Sequence, residues 1–328
     1  MCASLSFAVE PPKEPIKDGF YDERDANGVL LRTVEYQLGK LNGKFRTYYP
    51  DGRINGTGNY VNGQLDGIAL GYWPDGTMKL KSLYRDGKLH GISKLYYQNG
   101  KVQAETEYVK GVQDGLTKEY DEQGRPWRQR HFKWGKEDGT SIEYYPATGA
   151  LHYEYEYHKG RQMGFIREFF ESGRVKGVYE GVDSIKTGKG REFYSTGQLA
   201  REGEMKDGQW HGLVTNYYAN GNVLSKVNYT KGIKNDDNWQ EFYETGELKS
   251  VAKVVDDKIE GESKEFYPGG KIRTEGTFKG GKRNGLFKVY DKDGNKQAED
   301  EYVDDVVRYH REYDPASGKL LTEKIYYN

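Results

Sequence analysis

The residues best suited to metal or nucleophilic chemistry in this chain are six histidines, His90, His131, His152, His158, His211 and His310, and a single cysteine, Cys2. No histidine has a cysteine at ligand spacing, and no C-x-x-C or one-faced H-x-x-x-H occurs. His152 and His158 share a strand face but straddle its end. "DKDG" (291–294) begins like a calcium loop but lacks the downstream bidentate glutamate. "GKGREFYSTG" (188–197) offers glycines without the strand–loop–helix setting of a phosphate cradle. There is no G-x-S-x-G. The expectation is a protein that is not an enzyme and holds no metal or cofactor.

One stretch stands apart. "RPWRQRHFKWGK" (125–136) brings Arg128 and Arg130 close to Trp127 and Trp134 in sequence. Guanidinium over an indole or phenol ring is a favourable pairing, and it also suits an anionic ligand. Whether these residues meet depends on the elements that carry them.

Those elements are repeats. Glycines stand at 28, 52, 76, 100, 124, 149, 173, 197, 221, 246, 270, 294 and 318, a step of 24 broken by two steps of 25. Eight residues after each comes a residue such as Tyr36, Tyr60, Tyr84, Tyr108, Phe132 or Tyr157. Aromatic pairs such as Tyr48-Tyr49, Tyr96-Tyr97 and Tyr217-Tyr218 precede the glycines. "KVQAETEY" (101–108) puts Val102, Ala104, Thr106 and Tyr108 on one face, the period of a half-buried strand. "VKG" then turns, "GLTKEY" returns, and Pro-Asp-Gly, Gln-Asn-Gly or Ala-Asn-Gly turns again, where Asn-Gly and Asp-Gly supply positive φ for tight hairpins. No segment has a 3.6-residue period with caps. The fold class expected is all-β, an elongated antiparallel ribbon or solenoid of about twelve stacked 24-residue β-hairpin repeats, in which neighbours stabilise one another because a lone hairpin cannot bury enough surface.

In phase with this repeat, Arg128 and Arg130 occupy the columns of Ala104 and Thr106, and Tyr153 and Tyr155 occupy them one repeat later. Two readings follow. Either arginines packed on tyrosines fill a face of the sheet, or Arg128, Arg130, Trp127, Trp134, Tyr153 and Tyr155 form a site for an anionic group or an acidic partner loop.

Composition agrees with a thin structure. Of the 328 residues 35% are hydrophobic, yet 14% are aromatic, which argues against disorder. Lys+Arg 50 against Asp+Glu 51 leaves no net basic field for nucleic acid. Cys2 alone cannot close an internal disulfide, and no run of about 18 apolar residues appears. Ser6-Phe7-Ala8 has the small-x-small form of a signal-peptidase site without the basic and apolar regions before it. Residues 1–19 therefore read as a proline-rich tail ("EPPKEP"), either a signal-peptide remnant of an envelope or secreted protein or a cytoplasmic terminus. Residues 20–328 read as the repeat array.

"YVNGQLDGIALGYWPDG" (60–76), "YRDGKLHGISKLYYQNG" (84–100) and "FKGGKRNGLFKVYDKDG" (278–294) resemble the MORN repeat. They are closer to the bacterial variant in YwqK-type antitoxins of toxin–antitoxin systems. The resemblance spans about 20–328 and implies a scaffold that binds a protein partner or, as the alternative, a phospholipid surface or the cell envelope. Departures fall at Gly181, Met205, Ser184, 230–243 with Asp236 for a glycine, and 302–313 without turn glycines, and read as bends, ligand sites or terminal decay. Arg46, Lys94, Lys118, Arg167, Arg191, Lys264 and Lys288 fall on one face of the second strands, and Glu119, Glu143, Glu168, Glu192, Glu241 and Glu265 on the other. These stripes either keep an open sheet soluble or steer a partner. The partner expected is a protein, with a membrane surface second, no nucleic acid, and end-to-end self-association through "KLLTEKIYYN" (319–328).

Overall fold

The computed structural model describes residues 17–326, in which strands and turns alternate and no helix occurs. The expectation of a tail at 1–19 falls almost wholly outside the described residues. The chain divides into two units, 1–162 and 163–328. In the first, Leu30–Gln37 pairs with Lys40–Tyr48, which pairs with Ile54–Val61, and so on through Val102–Val109, Val112–Tyr120 and Pro126–Lys133 to Leu151–His158. In the second, Val175–Val182, Ile185–Phe193, Leu199–Lys206, Gln209–Tyr217 and Val223–Thr230 continue in the same way toward Leu320–Ile325. Every pairing in both units is antiparallel, so the all-β hairpin repeat is the fold.

The turns at the two ends of the hairpins are of different types. At Asn62-Gly63, Asp86-Gly87 and Lys110-Gly111 both central residues have positive φ, at 49° and 84°, 49° and 74°, 51° and 84°. These are the primed two-residue turns that match strand twist. At the other ends, such as Asp51-Gly52 and Asn99-Gly100, only the glycine is left-handed. There the Gly52 amide donates to the Tyr49 carbonyl and the Tyr49 amide to that of Arg53. This is a three-residue loop with a bulge, and the register slips beside it, between Thr47 and Tyr48. The geometry follows from strand twist: the shorter loop must be primed, while the longer one tolerates an ordinary turn closed by glycine.

Both ends are laced from repeat to repeat. At the primed turns, the Gly63, Gly87 and Gly111 amides donate to the carbonyls of Leu41, Leu65 and Leu89, one hairpin back. At the bulged loops, the Tyr49 hydroxyl donates to the Tyr72 carbonyl, Tyr97 to Tyr120, Tyr194 to Tyr217, Tyr218 to Phe242, Tyr243 to Phe266 and Tyr267 to Tyr290, at 2.6–2.9 Å. The aromatic pairs thus divide their work. The first ring lies on the strand, and the second ties its loop to the next.

Between the ends, one face of each unit is buried. Val34, Tyr36, Phe45 and Tyr60 form a cluster in the first unit, and Val214, Val227 and Tyr229 in the second. Rings fill gaps left by small residues across the ladder. A Cβ on Gly58 would come within 2.5 Å of the Phe45 ring, and one on Gly276 within 2.4 Å of the Phe287 ring.

The irregular repeats are absorbed locally. Gly181 leaves room that Ile166 fills. The residue added near 236 is taken up by a bulge between Asp236 and Trp239. Asp236 itself accepts the Asn228 amide at 2.7 Å, and the Asn238 amide at 2.9 Å. Ser184, Asp257 and Asp305 hold left-handed φ of 66°, 62° and 71° where glycine stands elsewhere.

Candidate functional site

Three adjacent strands of the first unit, Val102–Val109, Val112–Tyr120 and Pro126–Lys133, carry an unusual buried face. Thr106 lies opposite Thr117, and Thr117 opposite Arg130. In the cluster nearer the N-terminus the same positions are Val34, Phe45 and Gly58. Thr106 and Thr117 are buried, and on the preceding hairpin the Ser82 and Ser93 hydroxyls meet at 2.6 Å. Hydroxyls have replaced methyls and rings. A groove of about 350 Å³ opens here, lined among others by Trp127, Tyr97, Gln103, Gln113, Glu119 and Arg130.

Glu119 organises the cationic side. Its Oε2 accepts from Arg128 Nε at 2.8 Å and its Oε1 from Arg130 Nη2 at 3.1 Å. The Arg128 guanidinium lies 4.4 Å over the Trp127 ring and that of Arg130 5.3 Å over Phe132. The Nε–H of Arg130 is buried with no acceptor. Leaving such a donor unmet costs about 1–3 kcal/mol. Gln113 Nε2 donates to Thr117 Oγ1 at 2.7 Å. In register, Glu143 stands on the other side of Arg128.

Of the six residues singled out by sequence, Trp127, Arg128 and Arg130 come together. Tyr153 lies opposite Glu143, so that carboxylate stands between it and Arg128. Tyr153 instead belongs to a ring stack, 5.7 Å from Tyr155 and 4.0 Å from His152, which stacks on Tyr145 at 3.9 Å. Trp134 sits in a primed turn with φ 52° and is 72% exposed. Sequence reasoning missed Glu119 as the partner of both arginines, and missed Gln113, Thr106 and Thr117. The column of Gln113 holds Leu41, Leu65 and Leu89 in earlier repeats, so a polar residue there was the available signal.

The second unit has a smaller groove of about 230 Å³ with related contents, including Arg201, Asn216, Trp239 and Glu241. Arg201 Nε donates to Asn216 Oδ1 at 2.7 Å, and Asn216 Nδ2 to Ser225 Oγ at 2.9 Å.

The charge stripes lie on opposite faces, but each carries its own counter-charges. On the outer face Lys94 meets Glu105 at 2.6 Å, Arg191 meets Glu202 and Lys288 meets Glu275 at 3.4 Å. On the buried face Glu168 meets Lys176 at 2.6 Å and Glu241 meets Lys249 at 3.0 Å. Burial, reinforced by the Glu202 and Glu275 carboxylates, pushes the phenols of Tyr217 and Tyr290 up to about 12. Further along, His310 Nδ1 lies 2.6 Å from Asp300 and Nε2 3.2 Å from Glu312, which raises its pKa. No cluster among the described residues has the geometry of a metal site.

A sequence model of the family described as "MORN repeat variant" matches residues 41–62, 89–110, 186–207, 210–231, 259–279 and 283–304. No curated protein matches the chain. Among solved structures, it is similar to the crystal structure of TcdB2-TccC3-TEV, at 15% identity over 94% of this chain and 18% of that one, TM-score 0.17. It is also similar to the crystal structure of TcdB2-TccC3-Cdc42 (13% identity, 93% and 18%, TM-score 0.16) and to the Photorhabdus luminescens Tc holotoxin pore (13% identity, 93% and 18%, TM-score 0.15). The chain spans about a fifth of the length of those chains, and at such scores the likeness carries no argument. The six family matches, in step with the hairpins, support a repeat scaffold of MORN type.

Proposed function

We propose that this scaffold is not an enzyme and works by binding a protein partner, in an antitoxin- or immunity-like role. The observation that carries the reading is an apolar patch on the outer face of the first unit. Ile68 lies opposite Leu83, and the register continued through Ser82 and Ser93 brings Ile92 beside it. These side chains are 53%, 36% and 51% exposed on strands held rigid at both ends. Contiguous exposed aliphatics suit a protein surface. Ion pairs at Lys94, Arg191 and Lys288 reduce the uncompensated positive charge that an anionic lipid surface would need. Self-association is a lesser expectation, supported by Leu320, Leu321 and Ile325, 50%, 64% and 56% exposed on one strand.

The test compares the wild-type chain with an Ile68→Asp/Ile92→Asp variant. The expected result is a stoichiometric complex with one protein, retained in high salt and lost in the variant. For the antitoxin role, that partner is expected to arrest growth alone and not when co-expressed with this chain. Salt-sensitive sedimentation with phosphatidylserine vesicles, with no protein captured, would contradict the proposal.

A further inference from the structure

We infer that the groove between Gln103 and Phe132 binds a neutral pyranose ring of a glycan. This is a ligand site separate from the outer-face patch and does not depend on the protein-partner reading.

Three features point to a sugar. The first is charge. The guanidinium forks of Arg128 and Arg130 are already held by Glu119, at 2.8 and 3.1 Å, and Glu143 stands in register on the far side of Arg128. Two carboxylates would repel an incoming anion, whereas the hydroxyls of a neutral polyol can donate to them. The second is the mixture of hydrogen-bonding groups. Gln103, Gln113 and Glu119 supply both donors and acceptors along the groove wall, with the Arg130 side chain beside them, while the Thr106 and Thr117 hydroxyls lie buried beneath. A ligand that offers hydroxyls can answer both kinds, while a carboxylate can only accept. The third is the rings. Trp127 sits in the bulge beside Tyr120, 38% exposed, with Arg128 stacked on it, and Tyr97 and Phe132 also line the groove. An aromatic face packs against the C–H face of a pyranose, and planar polar side chains order its hydroxyls. The volume, about 350 Å³, accepts one or two rings.

The indole N–H resonance of Trp127, identified by its loss in Trp127→Phe, reports on this groove alone. The full chain is titrated separately with lactose, cellobiose, N,N′-diacetylchitobiose and a hexaglutamate peptide. The expected result is that the signal shifts with at least one disaccharide and not with hexaglutamate. In Arg130→Gln, checked by circular dichroism for folding, the same shift is expected to need about tenfold more sugar, the loss of one charged hydrogen bond. Glu119→Gln serves the same purpose if Arg130→Gln fails to fold. No shift with any disaccharide, a shift with hexaglutamate instead, or equal affinity in the folded variant would overturn the proposal.

Discussion

Two stretches of the first unit share a backbone and differ in what they bury. Around Val34, Phe45 and Gly58 a ring fills the space left by a missing side chain. Around Thr106, Thr117 and Arg130, the same three positions 72 residues later, hydroxyls and a guanidinium surround an open groove. The turns, the amide ladder and the tyrosine ladder are the same at both. The ends of the hairpins therefore hold the repeats together, and the face between them is free to be core in one place and binding surface in another.

The largest effect should come from the packed stretch. Phe45→Ala is expected to cost about 3 kcal/mol or more in chemical denaturation, as large core truncations do. Gly58→Val, which forces a side chain into the Phe45 ring, should cost on the order of 2 kcal/mol by overpacking. In the polar stretch, Arg128→Ala/Arg130→Ala should cost about 1 kcal/mol, since these side chains are 30% and 25% exposed and their ion pairs are solvent-screened. A loss there equal to that of Phe45→Ala would remove the contrast.

This contrast was only partly visible in sequence. The step of 24, the strand alternation and the presence of two turns per repeat follow from glycines and aromatics alone. Which end carries the primed turn is not legible, because Asn-Gly suits either geometry and loop length decides. The groove was half visible. Trp127, Arg128 and Arg130 break their columns, but Glu119 sits in a glutamate column and looks ordinary. Only register shows that it faces both arginines. The same register puts Glu143 between Arg128 and Tyr153, where column phase alone had set them side by side.

Smaller effects test the ends. Tyr243→Phe removes the 2.6 Å bond to the Phe266 carbonyl and should cost about 1 kcal/mol. Trp134→Asn relieves a left-handed tryptophan and should raise stability by about 0.5–1 kcal/mol in thermal melts. An unchanged or lowered melting temperature would show that Trp134 is held by contacts within the fold.

The pH dependence has two parts. Hydrogen bonds donated by the imidazolium to Asp300 and then to Glu312 raise the folded pKa of His310 above 6.5, so its stabilisation is full below about 6.5 and fades as pH rises through the higher folded value. His310→Gln should abolish that slope. For Tyr217 and Tyr290, burial raises the folded pKa from 10.0 to about 12, so their contribution is present below pH 10 and lost on approaching 12. Tyrosinate absorbance should show a late-titrating fraction, reduced in Tyr217→Phe.

The most direct test is a transplant. Thr106→Val, Thr117→Phe and Arg130→Gly together rebuild the packed stretch within the polar one. If the hairpin ends fix the fold and the face carries recognition, the variant will keep its β spectrum and melt no lower than the wild type. Its Trp127 signal will no longer respond to disaccharide. A variant that unfolds, or that still binds, would contradict the account.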